Sequence, residues 1–144
     1  MDDENVIYVC LKLNPESRGE LRELVCEMFN DEYCRLLCDH LTLAYGLEVR
    51  DFDESLIGRK ATISASKVAF DENIAALVVD RDQVKRLGVH NKHPHITLAI
   101  FNSSVQPAYS NHMLNSEHEV IEFPEDEIRL SGEIVAVRRH LNHM

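Results

Sequence analysis

His40-Leu41-Thr42-Leu43-Ala44-Tyr45 and His95-Ile96-Thr97-Leu98-Ala99-Ile100 are near copies of one another, and between them they use two of the chain's three threonines. Eight histidines scattered at random would give well under one His-x-Thr tripeptide, so two with matching apolar neighbours read as a paired site. In a β-strand, residues i and i+2 share a face while i+1 and i+3 take the other. Each copy therefore offers an imidazole and a hydroxyl on one face and two apolar side chains on the opposite one. Two strands of this kind, about 55 residues apart in the sequence, predict a sheet-based fold with two related halves.

The surrounding chain sets ordinary limits. Its 144 residues suit one domain spanning 1–144, large enough to bury about two thirds of its unfolded surface. A hydrophobic share of 44% and a charged share of 28% are those of a globular protein. No apolar run approaches the roughly 20 residues that span a bilayer. Met1-Asp2-Asp3-Glu4-Asn5 is acidic where a secretory signal would be basic. The expectation is a cytoplasmic or nuclear protein with no membrane partner. Cys10, Cys26, Cys34 and Cys38 are then expected as reduced thiols. Cys34 and Cys38 with His40 fit none of the usual zinc spacings.

The net charge of −10 argues against coating long nucleic acid, which requires many phosphates to be neutralised. The charge is uneven. Residues 1–57 hold 5 basic and 14 acidic groups, residues 58–100 hold 7 and 4, and residues 101–144 hold 3 and 7. Arg59, Lys60, Lys67, Arg81, Lys85, Arg86 and Lys92 thus suggest a basic rim for one or a few phosphates, with solvated surface charge as the alternative.

Pattern reading places a buried strand at Val6–Leu13 and a helix from Ser17 to Phe29, with Ser17 as N-cap and Glu20 completing a capping box. Tyr33 to Cys38 reads as a short helical turn before the strand opened by His40. Lys60–Phe70 and Ile74–Val79 flank Asp71-Glu72-Asn73 as a hairpin. Arg81–Leu87 reads as a short helix stopped by Gly88, and Pro94 precedes the His95 strand. Ser110 is expected to cap a short helix ending at Leu114. Ile128–Arg138 reads as one long strand, straight or bulged at Gly132, and His140–Met144 as a frayed end.

Two imidazoles facing one pocket can divide acid–base work, one neutral and accepting a proton, the other charged and giving one. A threonine hydroxyl two residues along can donate to an oxygen held between them. Two such pairs suit a tetrahedral anion during in-line displacement, so His40 and His95 are the catalytic candidates and Thr42 and Thr97 the phosphate-binding candidates. Tyr45 is a candidate for base stacking, against a partly buried structural role. His90, His93 and His95 invite a metal reading, but it leaves His40, Thr42 and Thr97 unexplained. No metal and no cofactor is required. His112, His118, His140 and His143 read as surface residues.

His40-Leu41-Thr42-Leu43 and His95-Ile96-Thr97-Leu98 resemble the two His-x-Thr-x signatures of the 2H phosphoesterase superfamily. The run from Pro94 to Ala99, continued by Gln106-Pro107-Ala108-Tyr109-Ser110-Asn111, is similar to 2H domains found with RNA-repair and RNA-ligase enzymes. The gap between the motifs is shorter than is usual there, which implies trimmed loops. The resemblance implies an α+β, bilobal fold: two antiparallel sheets with pseudo-twofold symmetry around a central groove, and flanking helices. It also implies hydrolysis of a 2′,3′-cyclic phosphate of RNA ends or nucleotides, by water activated at one of His40 and His95 while the other protonates the departing ribose oxygen. A 3′-leaving oxygen would give a 2′-phosphate. The partners so implied are an RNA end or small nucleotide as substrate, and RNA-repair proteins. A catalytically idle module that binds nucleotides or docks a partner is the competing reading.

Overall fold

In the computed structural model, residues 5–29, 34–123 and 127–139 are described. The expected acidic start, Tyr33, and the tail with His140 and His143 fall outside them, apart from Asn5. The strands are β1 (Val6–Leu13), β2 (Arg35–Leu36), β3 (His40–Tyr45), β4 (Lys60–Ala65), β5 (Lys67–Phe70), β6 (Ile74–Val78), β7 (His95–Ile100), β8 (Glu119–Glu122) and β9 (Ile128–Arg138). The α-helices are α1 (Pro15–Phe29), α2 (Arg81–Val84) and α3 (Tyr109–Leu114), with short 3₁₀ helices at Gly46–Asp51, Glu54–Leu56 and Lys85–Leu87. All strand pairs are antiparallel, in the order β4-β9-β1-β3-β7-β6-β5-β8, with β2 also paired to β7.

This corrects the expectation of two sheets. The described strands join in one sheet because the two motif strands pair edge to edge, through Leu41 and Ile96. The sheet also curls. Residues 60–70, expected as one strand, bend at Ser66, so that β4 lies at one end of the strand order and β5 next to the other end. The Ser66 carbonyl accepts from Phe123 N at 2.8 Å. The result is a half-barrel with few helices.

Alternation along the strands explains the packing. In β1, Val9, Leu11 and Leu13 are buried while Lys12 is exposed, and Leu41, Leu43, Ile96 and Leu98 are wholly buried on the same core. Helix α1 adds Leu21 and Val25 to it. Each such side chain contributes roughly 1.5–3 kcal/mol of burial. The start of α1 differs from expectation: Asn14 Oδ1 accepts from Ser17 N at 2.8 Å, and Pro15 takes the first helical position, where its missing N–H costs nothing. Ser17 is instead buried, accepting from Ser131 N at 2.9 Å and tying the helix to β9.

Three further expectations resolve. The segment before His40 is strand, β2, since Arg35 and Leu36 pair with Ile100 and Ala99. The turn Asp71-Glu72-Asn73 closes the β5–β6 hairpin, with Asp71 Oδ1 accepting from Asn73 N and Ile74 N. Strand β9 runs past Gly132 without a bulge, its register with β4 and β1 unbroken there. Glycine is needed at 132 for closeness instead, because a Cβ would overlap the Lys12 carbonyl oxygen. Gly132→Ala is expected to cost about 1–3 kcal/mol as overpacking, read as a lowered midpoint in denaturant unfolding with unchanged slope. A neutral result would mean β9 can retreat from β1 freely.

Candidate active site

His40, Thr42, His95 and Thr97 line one open groove of about 700 Å³. They reach it by the alternation of their strands, Leu41, Leu43, Ile96 and Leu98 being buried on the other face. A local distortion aims His40. Cys38 N donates to Thr97 O, whereas the next residue paired with β7 is Leu41, opposite Ile96, so Asp39 and His40 bulge on the β7 side while His40 keeps its place opposite Lys12 of β1. Cys38 makes this turn with φ of 53°, the one positive φ outside glycine among the described residues. Bulges beside a site commonly redirect a side chain in this way.

The two imidazoles occupy unlike surroundings. His95 is 8% exposed, and its Nδ1 donates to the His93 carbonyl at 2.7 Å. A carbonyl can only accept, so the proton sits on Nδ1 and Nε2 is left with its lone pair in the neutral ring. Burial pushes the His95 pKa below the ordinary 6.5, against the His93 carbonyl, which favours the charged ring; His40 and His93 lower it further. His40 is half-buried, with Nδ1 3.3 Å from Asp39 Oδ2 and its ring stacked on Tyr8 at 5.3 Å between centroids. Asp39 is itself held by Arg18 at 3.2 Å.

The hydroxyls differ too. Thr97 Oγ1 lies 2.9 Å from Ser110 Oγ, and Ser110 is wholly buried. Ser110 therefore does not cap α3, whose N-cap is Ala108; its hydroxyl fixes Thr97 instead. Thr42 also faces the groove, beside Cys10 of β1. Tyr45 is 62% exposed at the groove mouth and stacks on Tyr8 at 6.3 Å, so His40, Tyr8 and Tyr45 form a continuous aromatic file.

Of the expected basic rim, only Lys92 lines this groove; Arg22 of α1 and Arg35 of β2 supply the other cations. Sequence reading misses both because they lie in the acidic first third, and because a helical reading of segment 33–38 hides Arg35. It also misses Tyr8, Asp39 and Ser110. Tyr8 carries a usable signal, lying on the same face of β1 as Cys10 and Lys12, which pair with Thr42 and His40.

Cys10 and Cys38 are buried and outside any disulfide, their thiols pushed up to about 12 chiefly by burial, as small core side chains. Among the described residues no group of three or more His, Cys, Asp or Glu is gathered as a metal site. His112 is exposed, His118 half-buried.

The curled antiparallel sheet, with its two His-x-Thr strands paired edge to edge along one groove, is consistent with a 2H phosphoesterase fold. The chain belongs to the family described as the fungal tRNA ligase phosphodiesterase domain, whose sequence profile matches residues 44–132. That stretch contains His95 and Thr97; His40 and Thr42 lie just before it. The crystal structure of a fungal RNA kinase superposes with a TM-score of 0.63 at 15% identity, over 94% of this chain and 46% of that one. The chain thus spans less than half the length of that structure, and the likeness is one of fold. No curated protein matches the chain. No described helix is long and apolar enough to cross a membrane.

Proposed function

We propose that residues 1–144 act as one domain that hydrolyses the 2′,3′-cyclic phosphate at RNA ends, without a metal ion, by paired histidine acid–base catalysis. The observation that carries this reading is the shared groove, whose lining brings together two imidazoles in unlike surroundings and two threonine hydroxyls. His95, kept neutral by burial with Nε2 unprotonated, takes a proton from the attacking water. The water oxygen bonds to phosphorus. The P–O3′ bond breaks, and His40, with the Asp39 carboxylate behind its Nδ1, gives its Nε2 proton to the leaving oxygen. The product is a 2′-phosphate end. The cycle leaves His95 charged and His40 neutral, and exchange with solvent resets both. Thr42 and Thr97 donate to the non-bridging oxygens, with Thr97 oriented by Ser110. Tyr45 stacks on the terminal base.

Incubation with RNA bearing a 2′,3′-cyclic end, in the presence of chelator, is expected to yield the 2′-phosphate. Binding without turnover would instead support an idle docking module. The pH dependence follows from His95. It must be neutral to accept a proton, and its pKa is depressed, so the neutral form persists to lower pH than an ordinary imidazole allows. The rising acid limb of kcat/KM is therefore expected below pH 6.5, since this limb reports the free enzyme's base. A limb at or above that value would contradict His95 as the base.

A further inference from the structure

A second cleft of about 770 Å³ opens on the face of the sheet that holds His40, lined by Lys12, Arg18, Lys60 and Arg86 with the hydroxyls of Thr62 and Ser131. Strand register fixes its position. Lys12 stands opposite His40 of β3 and opposite Glu133 of β9, and Glu133 stands opposite Lys60 of β4. Residues directly opposite in antiparallel strands share a face. His40, Lys12, Glu133 and Lys60 therefore form one row across four neighbouring strands, three strand spacings or about 14 Å long. The Arg18–Asp39 pair marks the divide, Asp39 lining the groove and Arg18 the cleft.

The charge in this cleft runs against that of the molecule. Lys12, Lys60 and Arg86 face one carboxylate of the lining, Glu133, and a fourth cation, Arg18, is held by Asp39 at 3.2 Å, in a chain of net charge −10. Lys12 and Lys60 are exposed and form no ion pair among the described residues. Arg86 is held by donating Nη2 to Thr62 O at 3.2 Å, and Thr62 Oγ1 lies 2.9 Å from Ser131 Oγ. The recess that shares Lys92 with the groove offers no comparable field. Its Lys67, Arg81 and Lys92 are offset by Asp80 and Glu127, and Lys67 already pairs with Glu122 at 3.3 Å.

We propose that this cleft binds the sugar–phosphate backbone of the RNA strand on the 5′ side of the reacting end. The proposal rests on the proposed function, in which the groove takes a cyclic phosphate terminus. A 3′-terminal cyclic phosphate leaves only the 5′ side of the chain to extend, and beside the row that runs from His40 the cleft supplies Lys12, Lys60 and Arg86 with the hydroxyls of Thr62 and Ser131. A local cationic track on an acidic protein admits one short strand while the remaining surface repels long nucleic acid. The protein then prefers oligonucleotides to cyclic mononucleotides.

The test compares wild type, Lys60→Glu, and the double variant Lys60→Ala with Arg86→Ala on a short single-stranded RNA with a 2′,3′-cyclic end and on a 2′,3′-cyclic mononucleotide. The expected result is a wild-type preference for the RNA in kcat/KM and a loss of about tenfold or more on RNA alone in both variants. The slope of log kcat/KM against log salt should become shallower by about 0.7 for each phosphate that the variant no longer neutralises. Equal wild-type rates on both substrates, an unchanged RNA rate in the variants, or equal losses on both substrates would overturn the proposal. Absence of turnover on either substrate in wild type would sink the catalytic reading alone. Binding of the same strand, by fluorescence anisotropy, then decides the cleft: weaker binding in both variants upholds it, and unchanged binding overturns it.

Discussion

His95→Ala is expected to lower kcat on a 2′,3′-cyclic phosphate by about 10²–10⁴-fold, and His40→Ala by a similar factor, the range over which a positioned acid or base contributes. The physical reason differs for each residue. His95 is presented as a proton acceptor by two features together, burial that disfavours its charged form and a backbone carbonyl that holds the proton on Nδ1. His40 sits where a carboxylate 3.3 Å away suits a donor. Because the two act in one step, the double variant should be little worse than either single one. Single-turnover rates in the presence of chelator measure this. A single variant that keeps a rate within about tenfold of the parent would remove that histidine from the chemistry.

Leu41→Ala is expected to cost about 2–5 kcal/mol, the range for truncating a wholly buried leucine. Against a total stability of roughly 5–15 kcal/mol this is a large share, and it corresponds to a fall in Tm of roughly 6–20 °C. Leu41 is wholly buried and, with Ile96, forms the bridge pair between β3 and β7, the seam where the two motif strands meet. The cavity therefore opens beneath His40 and Thr42, and groove geometry should loosen along with stability. Thermal unfolding of Leu41→Ala beside Leu43→Ala, which removes an equally buried side chain away from the seam, checks both points. Equal destabilisation is expected, with the larger loss of activity in Leu41→Ala. A change under about 1 kcal/mol would mean that the site collapses around the smaller side chain.

Much of this architecture is legible in the residues because period-2 alternation survives burial. Val6–Leu13, His40–Tyr45 and the β5–β6 hairpin all stand where the pattern puts them. Capping is less legible. Ser17 and Ser110 both have the look of N-caps, yet both hydroxyls turn inward, to Ser131 N and Thr97 Oγ1, because a short polar side chain on a packed helix can satisfy a neighbouring strand as readily as its own helix end. The joining of the sheet is not legible at all. It depends on one pairing of residues 55 positions apart and on a left-handed turn at Cys38, a residue with no intrinsic preference for that conformation. The groove's cations escape for a related reason: Arg22 and Arg35 are brought together by tertiary folding from a segment whose overall charge is negative.

In the proposed reaction both imidazoles face one bound phosphate. NMR of protein labelled at the histidine rings, titrated with a nucleoside 2′-phosphate as product mimic, tests it most directly. The His40 and His95 signals are expected to shift together along a common saturation curve while His112 and His118 stay still. Movement of only one of the two, or separate affinities for them, would contradict it.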